Sequence, residues 1–195
     1  MKPEPFIPEP LPPSGIDWIT HIPLIGAANA ALGRFDGLLQ SIQNPDLLLA
    51  PLITQEAIIS SRIEGTQATI RELFLFEAGK PAESDEKRQD IREVMNYQNA
   101  LNHARERLKT GPLSWNLILS LHAILLDGVR GSSSVGIVRN IQNYIGPIGA
   151  SIKQATYIPP PPDLLPEMIH NWEEYLVGPE HLFQVRRDIP PICES

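Results

Sequence analysis

Proline restricts the folding of this chain of 195 residues more than any other residue, because 20 prolines interrupt regular structure at defined places. Six of them lie within the first 13 residues and impose an extended arm of the polyproline type. Two interpretations of this arm stay open at this point. It is either a disordered leader, or an arm laid over the domain that buries Phe6, Ile7 and Leu11.

The composition is typical of one soluble globular domain, with 42% hydrophobic and 20% charged residues. A net charge of −7 argues against a nucleic-acid partner, which would need clustered Lys and Arg. No apolar run approaches the roughly 20 residues of a membrane helix, and the N-terminus lacks the apolar core of a signal peptide. A single cysteine, Cys193, allows neither an internal disulfide nor a cysteine metal cluster. We therefore expect a cytoplasmic protein that binds neither nucleic acid nor membrane.

Apolar residues at three- and four-residue steps predict helices along most of the chain. The predicted helices cover residues 24–42, 48–63 and 69–78, a long segment that starts in the charged residues 80–88, a segment capped by Ser114, and residues 163–177. The long helix is expected to bury a stripe formed by Ile91, Val94, Gln98, Leu101 and Leu108.

Between residues 131 and 162 the period of the sequence changes. Residues 138–145, a tip of Gly146-Pro147-Ile148-Gly149, and residues 155–158 predict a β-hairpin with a long tip. The predicted fold class is therefore all-α, a helical array with one projecting β-hairpin.

The end of the second predicted helix holds the most informative short stretch, Ser60 to Gly65. Ser60 and Glu64 are four residues apart and share one helix face. Glu64 falls in the last turn, where the negative end of the helix dipole disfavours a carboxylate by a few tenths to about 1 kcal/mol. From these residues alone, a solvated glutamate before a glycine cap is the favoured interpretation. The alternative is a carboxylate that pairs with a cation from elsewhere in the fold or from a partner.

Ser60, Glu64 and Gly65 together resemble the inhibitory motif of Fic-family proteins whose regulatory helix precedes the catalytic core. The resemblance implies that Glu64 pairs with an active-site arginine and intrudes where the γ-phosphate of ATP should lie. Other stretches look like the same family in the same order, so that the resemblance covers residues 6–178; they are residues 30–39, 44–46, 50–52, 63–67, 93–97, 121–126, 128–131, 139–146 and 157–162.

Residues 139–146 are similar to the family's flap, the segment that presents a target hydroxyl to the α-phosphate. An exposed strand edge can add a strand from an extended peptide through main-chain hydrogen bonds. The resemblance assigns this docking of a protein target to Arg139, Gln142, Asn143, Ile145 and Gly146. One departure is that residues 135–138 read Val-Gly-Ile-Val, where the family usually has proline and glutamate.

Fic catalysis uses the sequence H-P-F-x-x-G-N-G-R, with ATP and Mg²⁺ as cofactors of the intact enzymes. This string does not occur in the 195 residues, so we expect the chain alone to use neither cofactor and to contain no catalytic residue or metal ligand. The sequence departs from the family pattern after residue 178, which we interpret as a truncation, a frameshift or a gene-model error. The predicted organisation is a proline-rich arm (1–20), a Fic N-terminal region with the inhibitory helix (21–80), an incomplete Fic domain with the flap (81–178) and a divergent tail (179–195).

Three functions remain in competition. The first is a truncated Fic protein adenylyltransferase that keeps its autoinhibitory helix and target flap but is inactive alone. The second is a non-enzymatic helical interaction module, and the third is an enzyme completed by a second polypeptide. Self-association is expected if apolar surface lies uncovered.

Overall fold

The computed structural model describes residues 3–129 and 134–178, apart from the side chains of Asp46 and Leu48. The described residues contain α1 (Trp18–Gln40), α2 (Pro45–Ile63), α3 (Ile70–Glu77), α4 (Asp85–Thr110), α5 (Trp115–Leu125) and α6 (Leu165–Val177), with short 3₁₀ turns at Ile152–Gln154 and Pro162–Leu164. The predicted tail, residues 179–195, lies outside the described residues. The chain divides into two compact units, Asp17–Val138 and the described parts of Met1–Ile16 with Arg139–Ser195.

Local side chains fix where most of these helices begin. Asn44 accepts a hydrogen bond from the backbone N–H of Leu47, and Pro45 occupies the first turn. Thr69 and Glu72 form a reciprocal capping box at the start of α3. Hydroxyl caps open the next two helices, from Ser84 to the backbone N–H of Lys87 and from Ser114 to that of Leu117. Each of these cap residues lies directly before the helix that it opens.

The core of the unit Asp17–Val138 lies among α2, α3 and α4. The helix α4 packs against α2 and α5, and α3 contacts both α2 and α4. The buried cluster consists of Ala57, Ile58, Ala68, Leu73, Ile91 and Val94. Burial of one such large apolar side chain contributes roughly 1.5–3 kcal/mol. This cluster therefore fixes α2, and with it the segment of Ser60 and Glu64, on α4.

The helix α4 buries only part of the predicted stripe. Ile91 and Val94 are buried, whereas Leu108 is 48% exposed. No residue of α4 beyond Ala100 is buried, because the core cluster involves only its N-terminal half. A buried polar side chain, Asn96, connects α4 to the end of α5 instead. Its Nδ2 donates to the carbonyl oxygens of Leu125 and Asp127, at 3.1 and 2.9 Å.

The first helix, α1, is longer than predicted and buries none of its residues. Its large apolar side chains are mostly more than half exposed; they include Leu24, Leu32, Phe35 and Leu38. Although α1 spans 23 residues, neither it nor any other helix of the described residues is long and apolar enough to cross a membrane.

The predicted β-hairpin is not formed as a pair of strands in the described residues. A single antiparallel bridge joins Ile145 and Tyr157, and no strand extends from it. Continuing that register would pair residues 140–143 with Pro159–Pro162, which have no N–H to donate. The ladder therefore stops after one bridge. This part of the predicted fold class is wrong, while the helical part is confirmed.

The proline-rich arm is laid along the unit that contains residues 139–178. The backbone N–H of Phe6 donates to the carbonyl oxygen of Ile158 at 2.8 Å, and that of Leu11 donates to Asn171 Oδ1 at 2.7 Å. These hydrogen bonds support the arm laid over the domain rather than the disordered leader. The expected burial of its apolar side chains is wrong for Phe6 and Ile7, which are 56% and 50% exposed.

Candidate functional site

The C-terminal end of α2 places Glu64 by backbone geometry alone. The helix ends at Ile63, and Glu64 is the cap residue with helical dihedrals. Its N–H donates to the carbonyl oxygen of Ser61 at 3.1 Å. Gly65 follows with a φ of +107°, a conformation that side chains with a Cβ rarely adopt. The glycine after the glutamate is therefore required for the chain to turn away from the helix at this point.

The carboxylate of Glu64 is exposed and makes no ion pair with any residue in the described ranges. Ser60, on the same helix face, is bonded elsewhere. Its hydroxyl donates to Glu56 Oε1 at 2.7 Å, one turn towards the N-terminus. The structure thus brings Glu64 and Gly65 together at the helix end, and it pairs Ser60 with Glu56 rather than with Glu64.

Two residues of α4 anchor the loop that follows Glu64. Asp90, which is buried, accepts a hydrogen bond from the backbone N–H of Gln67 at 2.9 Å. Lys87 donates from Nζ to the carbonyl oxygen of Gln67, also at 2.9 Å. Both backbone groups of one loop residue are therefore held by side chains one turn apart on α4. The sequence does not predict these anchors, because Lys87 lies in the charged residues 80–88 and the partner of both side chains is the backbone of a residue at least 20 positions away.

Lys87 also pairs with Glu72 of α3, with 3.1 Å between Nζ and Oε1. The hydrogen bond from the Thr69 hydroxyl is the largest influence that lowers the pKa of Glu72, and Lys87 lowers this pKa further. The ionised form of Glu72 is therefore favoured in the folded state. This pair ties α3 to α4 next to the loop that carries Gln67.

The electrostatics of this helix end suit a cation and not a phosphate. Phosphates bind at helix N-termini or among cations, because they need N–H groups and positive charge. The end of α2 instead combines the negative end of the helix dipole with the carboxylates of Glu56 and Glu64. Arg62 is the nearest cation in sequence, but residues two apart on a helix do not face each other. The charges at this helix end therefore disfavour the binding of a phosphate group.

In the predicted flap, two side chains hold the backbone in shape. Arg139 donates to the carbonyl oxygens of Ile141 and Pro160. Gln142 donates from Nε2 to those of Asn143 and Pro159, at 3.0 and 2.9 Å. Arg139 and Gln142 thus donate from their side chains to the carbonyl oxygens of Pro160 and Pro159, and these hydrogen bonds hold the two segments together where the strand pairing is missing.

The remaining flap residues form an exposed edge. Ile145 turns both of its backbone groups towards Tyr157, with 2.9 Å from its own N to Tyr157 O and 3.2 Å from Tyr157 N to its own O. The backbone groups of Tyr144 and Gly146 have no hydrogen-bond partner among the residues that the structure describes. Asn143 is exposed beside them. A Cβ added at Gly146 would lie 3.3 Å from the Cα of Ala155, so a side chain there would crowd the turn.

The segment before the flap, where the sequence departs from the family pattern, packs on α5. The backbone N–H of Gly136 donates to His122 Nδ1 at 2.9 Å. A Cβ at Gly136 would lie 3.1 Å from both the Ala123 Cβ and the Leu119 carbonyl oxygen, and its φ is +68°. His122 thus accepts a hydrogen bond that holds this segment on α5.

Comparison with known families bears on the helical part of this site. The model of the Fic/DOC family N-terminal region matches residues 22–106. These residues are therefore similar to a Fic/DOC family N-terminal region. Ser60, Glu64 and Gly65 lie within the match, as do the loop anchors Lys87 and Asp90, whereas the flap lies outside it. A search among curated proteins finds no match for the chain.

Proposed function

We propose that this chain is the regulatory and target-docking part of a Fic-family protein, a family whose enzymes transfer AMP from ATP to protein hydroxyl groups. The position of Glu64 carries this proposal. It is an exposed carboxylate at the end of a helix inside the matched region, and it has no cation partner among the described residues. The helix dipole disfavours an anion there. An arginine from a catalytic region would remove that penalty by pairing with Glu64.

In this proposal Glu64 inhibits by competition for the arginine. A guanidinium that forms a bidentate pair with a carboxylate is not available to bind the γ-phosphate of ATP. The backbone cap at Gly65 and the anchors at Gln67 fix the backbone that carries Glu64 before the arginine arrives. Because this backbone is already ordered, only the Glu64 side chain loses conformational freedom on pairing.

The flap would dock the target protein through its backbone. The unpaired groups of Tyr144 and Gly146 are suited to an extended peptide, since main-chain hydrogen bonds do not depend on the peptide's sequence. Arg139 and Gln142 would support this role from within the flap, because their side chains hold Pro159 and Pro160. Asn143, Ile145 and Gly146 would lie next to the bound peptide.

ATP and Mg²⁺ are the cofactors of intact enzymes that contain the motif H-P-F-x-x-G-N-G-R. This motif is absent from these 195 residues. No residue of the chain is assigned to hold either of them. The 195-residue chain should therefore transfer no AMP by itself. Incubation with labelled ATP, Mg²⁺ and cell extract should label no protein above the level of a heat-inactivated control.

A fusion supplies the test of the inhibitory role. Residues 1–178 are joined to the catalytic segment of an active Fic enzyme, and AMP transfer from labelled ATP is measured. Glu64→Gly should raise transfer by about tenfold or more, as expected for loss of one charge-assisted pair worth about 1.5–3 kcal/mol. The exposed Glu77→Gly serves as the matched control and should change nothing. Equal transfer with and without Glu64 in a folded fusion would refute the inhibitory role.

A non-enzymatic interaction module is the second candidate, and the exposed apolar side chains of α1 favour it. The third candidate, an enzyme completed by a second polypeptide, is distinguished from the interaction module by whether AMP is transferred after mixing. If the chain mixed with a separate catalytic segment transfers AMP, the completed enzyme is supported; if the two bind without transfer, the module is supported.

A further inference from the structure

The N-terminal arm contains a short repeat whose two copies make equivalent contacts. Pro3-Glu4-Pro5-Phe6 and Pro8-Glu9-Pro10-Leu11 repeat the pattern Pro-Glu-Pro-apolar with a spacing of five residues. In each copy the apolar residue donates its backbone N–H, from Phe6 to the Ile158 carbonyl oxygen at 2.8 Å and from Leu11 to Asn171 Oδ1 at 2.7 Å. Proline has no N–H, so the arm offers few donors, and these two are used.

Asn171 of α6 binds both backbone groups of one arm residue. Besides accepting from the Leu11 N–H, its Nδ2 donates to the Leu11 carbonyl oxygen at 3.1 Å. Such a pair of hydrogen bonds recognises extended backbone whatever the side chain. The ring of Phe6 lies against that of Tyr157, with centroids 6.2 Å apart and planes tilted by 41°. Backbone recognition beside an aromatic ring is how grooves for proline-rich peptides work.

We propose that Tyr157, Ile158 and Asn171 form a binding site for an extended proline-rich peptide, which the chain's own arm occupies and the arm of a second copy can occupy instead. We call these three residues the arm site. The arm makes these contacts through its backbone and the ring of Phe6, so an arm from another molecule can make the same ones. The own arm has the advantage that it belongs to the same molecule as the arm site. A second copy therefore binds when the own arm is detached.

Leu11→Pro weakens the attachment of the own arm while leaving the arm site intact, because it removes the N–H that donates to Asn171 Oδ1. A fluorescent peptide of residues 3–14 should bind the full-length Leu11→Pro chain about tenfold or more tightly than the wild-type chain, since one hydrogen bond is worth about 0.5–1.5 kcal/mol and the competing arm is lost. Adding Asn171→Ala should abolish this binding. Adding His170→Ala, an exposed neighbour on α6, should leave it unchanged.

Two variants with complementary defects test the second copy. The Asn171→Ala chain has a free arm and a damaged arm site, and the Leu11→Pro chain has the reverse. Their mixture should form a one-to-one dimer in sedimentation, while neither chain dimerises through the arm alone. Peptide binding without this dimer would overturn the exchange between copies and leave an intramolecular site.

Equal peptide binding to wild-type and Leu11→Pro chains, or binding that ignores Asn171→Ala, would overturn the arm site itself. If Leu11→Pro fails to fold, hydrogen exchange in the wild-type chain replaces it. The amides of Phe6 and Leu11 should be protected, and Asn171→Ala should speed exchange at Leu11 by about tenfold, as for loss of one hydrogen bond. Unchanged exchange at Leu11 would equally overturn the proposal. None of these measurements depends on AMP transfer, so they are separable from the proposed function.

Discussion

Ser60 donates its hydroxyl proton to the carboxylate of Glu56, with 2.7 Å between Oγ and Oε1. It therefore faces the turn before it, and not Glu64 in the turn after it. Glu64 owes its position to the helix end and to Gly65, whose positive φ turns the chain away. Ser60 and Glu64 belong to one sequence motif, but different contacts position them. Ser60 is positioned by its hydrogen bond to Glu56, and Glu64 by the end of α2 and by Gly65.

This division predicts a small effect for Ser60→Ala in the fusion that carries a catalytic segment. Transfer of AMP should rise less than with Glu64→Gly, by about threefold or less, since the hydrogen bond that is lost joins Ser60 to Glu56 and not to Glu64. Glu56→Gln keeps an acceptor for Ser60 and should leave transfer unchanged. A Ser60→Ala effect as large as that of Glu64→Gly would mean that Ser60 turns towards Glu64 in the inhibited enzyme.

Removing the loop anchor at Asp90 should destabilise the chain. The Asp90→Ala variant leaves the N–H of Gln67 without its charged acceptor, at a cost of about 1.5–3 kcal/mol in the free energy of unfolding. Urea unfolding followed by circular dichroism measures this difference. Glu86→Ala, an exposed change in the first turn of α4, is the control and should cost much less. An equal loss of unfolding free energy in the two variants would show that Asp90 does not anchor the loop.

The lowered pKa of Glu72 predicts a dependence of stability on pH. Its folded-state pKa lies below the unfolded value, so the unfolded chain binds more protons in the window between the two. The stabilisation is present above about pH 4.3, the ordinary glutamate pKa. This stabilisation is lost as the pH falls through the lowered pKa of Glu72 in the folded chain. Wild type should exceed Glu72→Gln in unfolding free energy at pH 7, and the difference should shrink as the pH is lowered to 3. A constant difference would contradict the prediction, and Glu77→Gln is the control.

The exposed apolar face of α2 predicts self-association. Leu52, Ile59 and Ile63 lie at helical spacing and are 55%, 46% and 80% exposed, away from the buried Ala57 and Ile58. Each exposed side chain forgoes roughly 1.5–3 kcal/mol of burial. The chain should therefore associate in sedimentation and bind a hydrophobic dye. The triple change of these three residues to Gln should reduce both signals.

A monodisperse monomer with little dye binding and a sharp unfolding transition would contradict this prediction. That result would favour the independent interaction module. Association that persists in the triple variant but disappears in the Asn171→Ala/Leu11→Pro double variant would assign it to the arm site instead.

Features that depend on neighbouring residues follow from the sequence alone. The cap at Ser114 predicts the start of α5, and Asn44 with Pro45 and Thr69 with Glu72 likewise act within one helical turn at the starts of α2 and α3. The placement of Glu64 before Gly65 is local in the same way. These predictions hold because hydrogen bonds over three or four residues require no knowledge of the rest of the fold.

Which helix faces are buried, and which residues distant in sequence are in contact, depends on the tertiary structure. The apolar period predicts the helix that contains Leu108, but it does not predict that the Leu108 side chain remains 48% exposed. Alternation predicts a hairpin at Ile145, yet the pairing stops because its register sets prolines 159–162 opposite the flap. The contacts of Gln67 with Asp90, and of Leu11 with Asn171 across 160 residues, depend on backbone groups that no side-chain pattern records. Long-range partners are fixed by packing, and packing is a property of the whole chain.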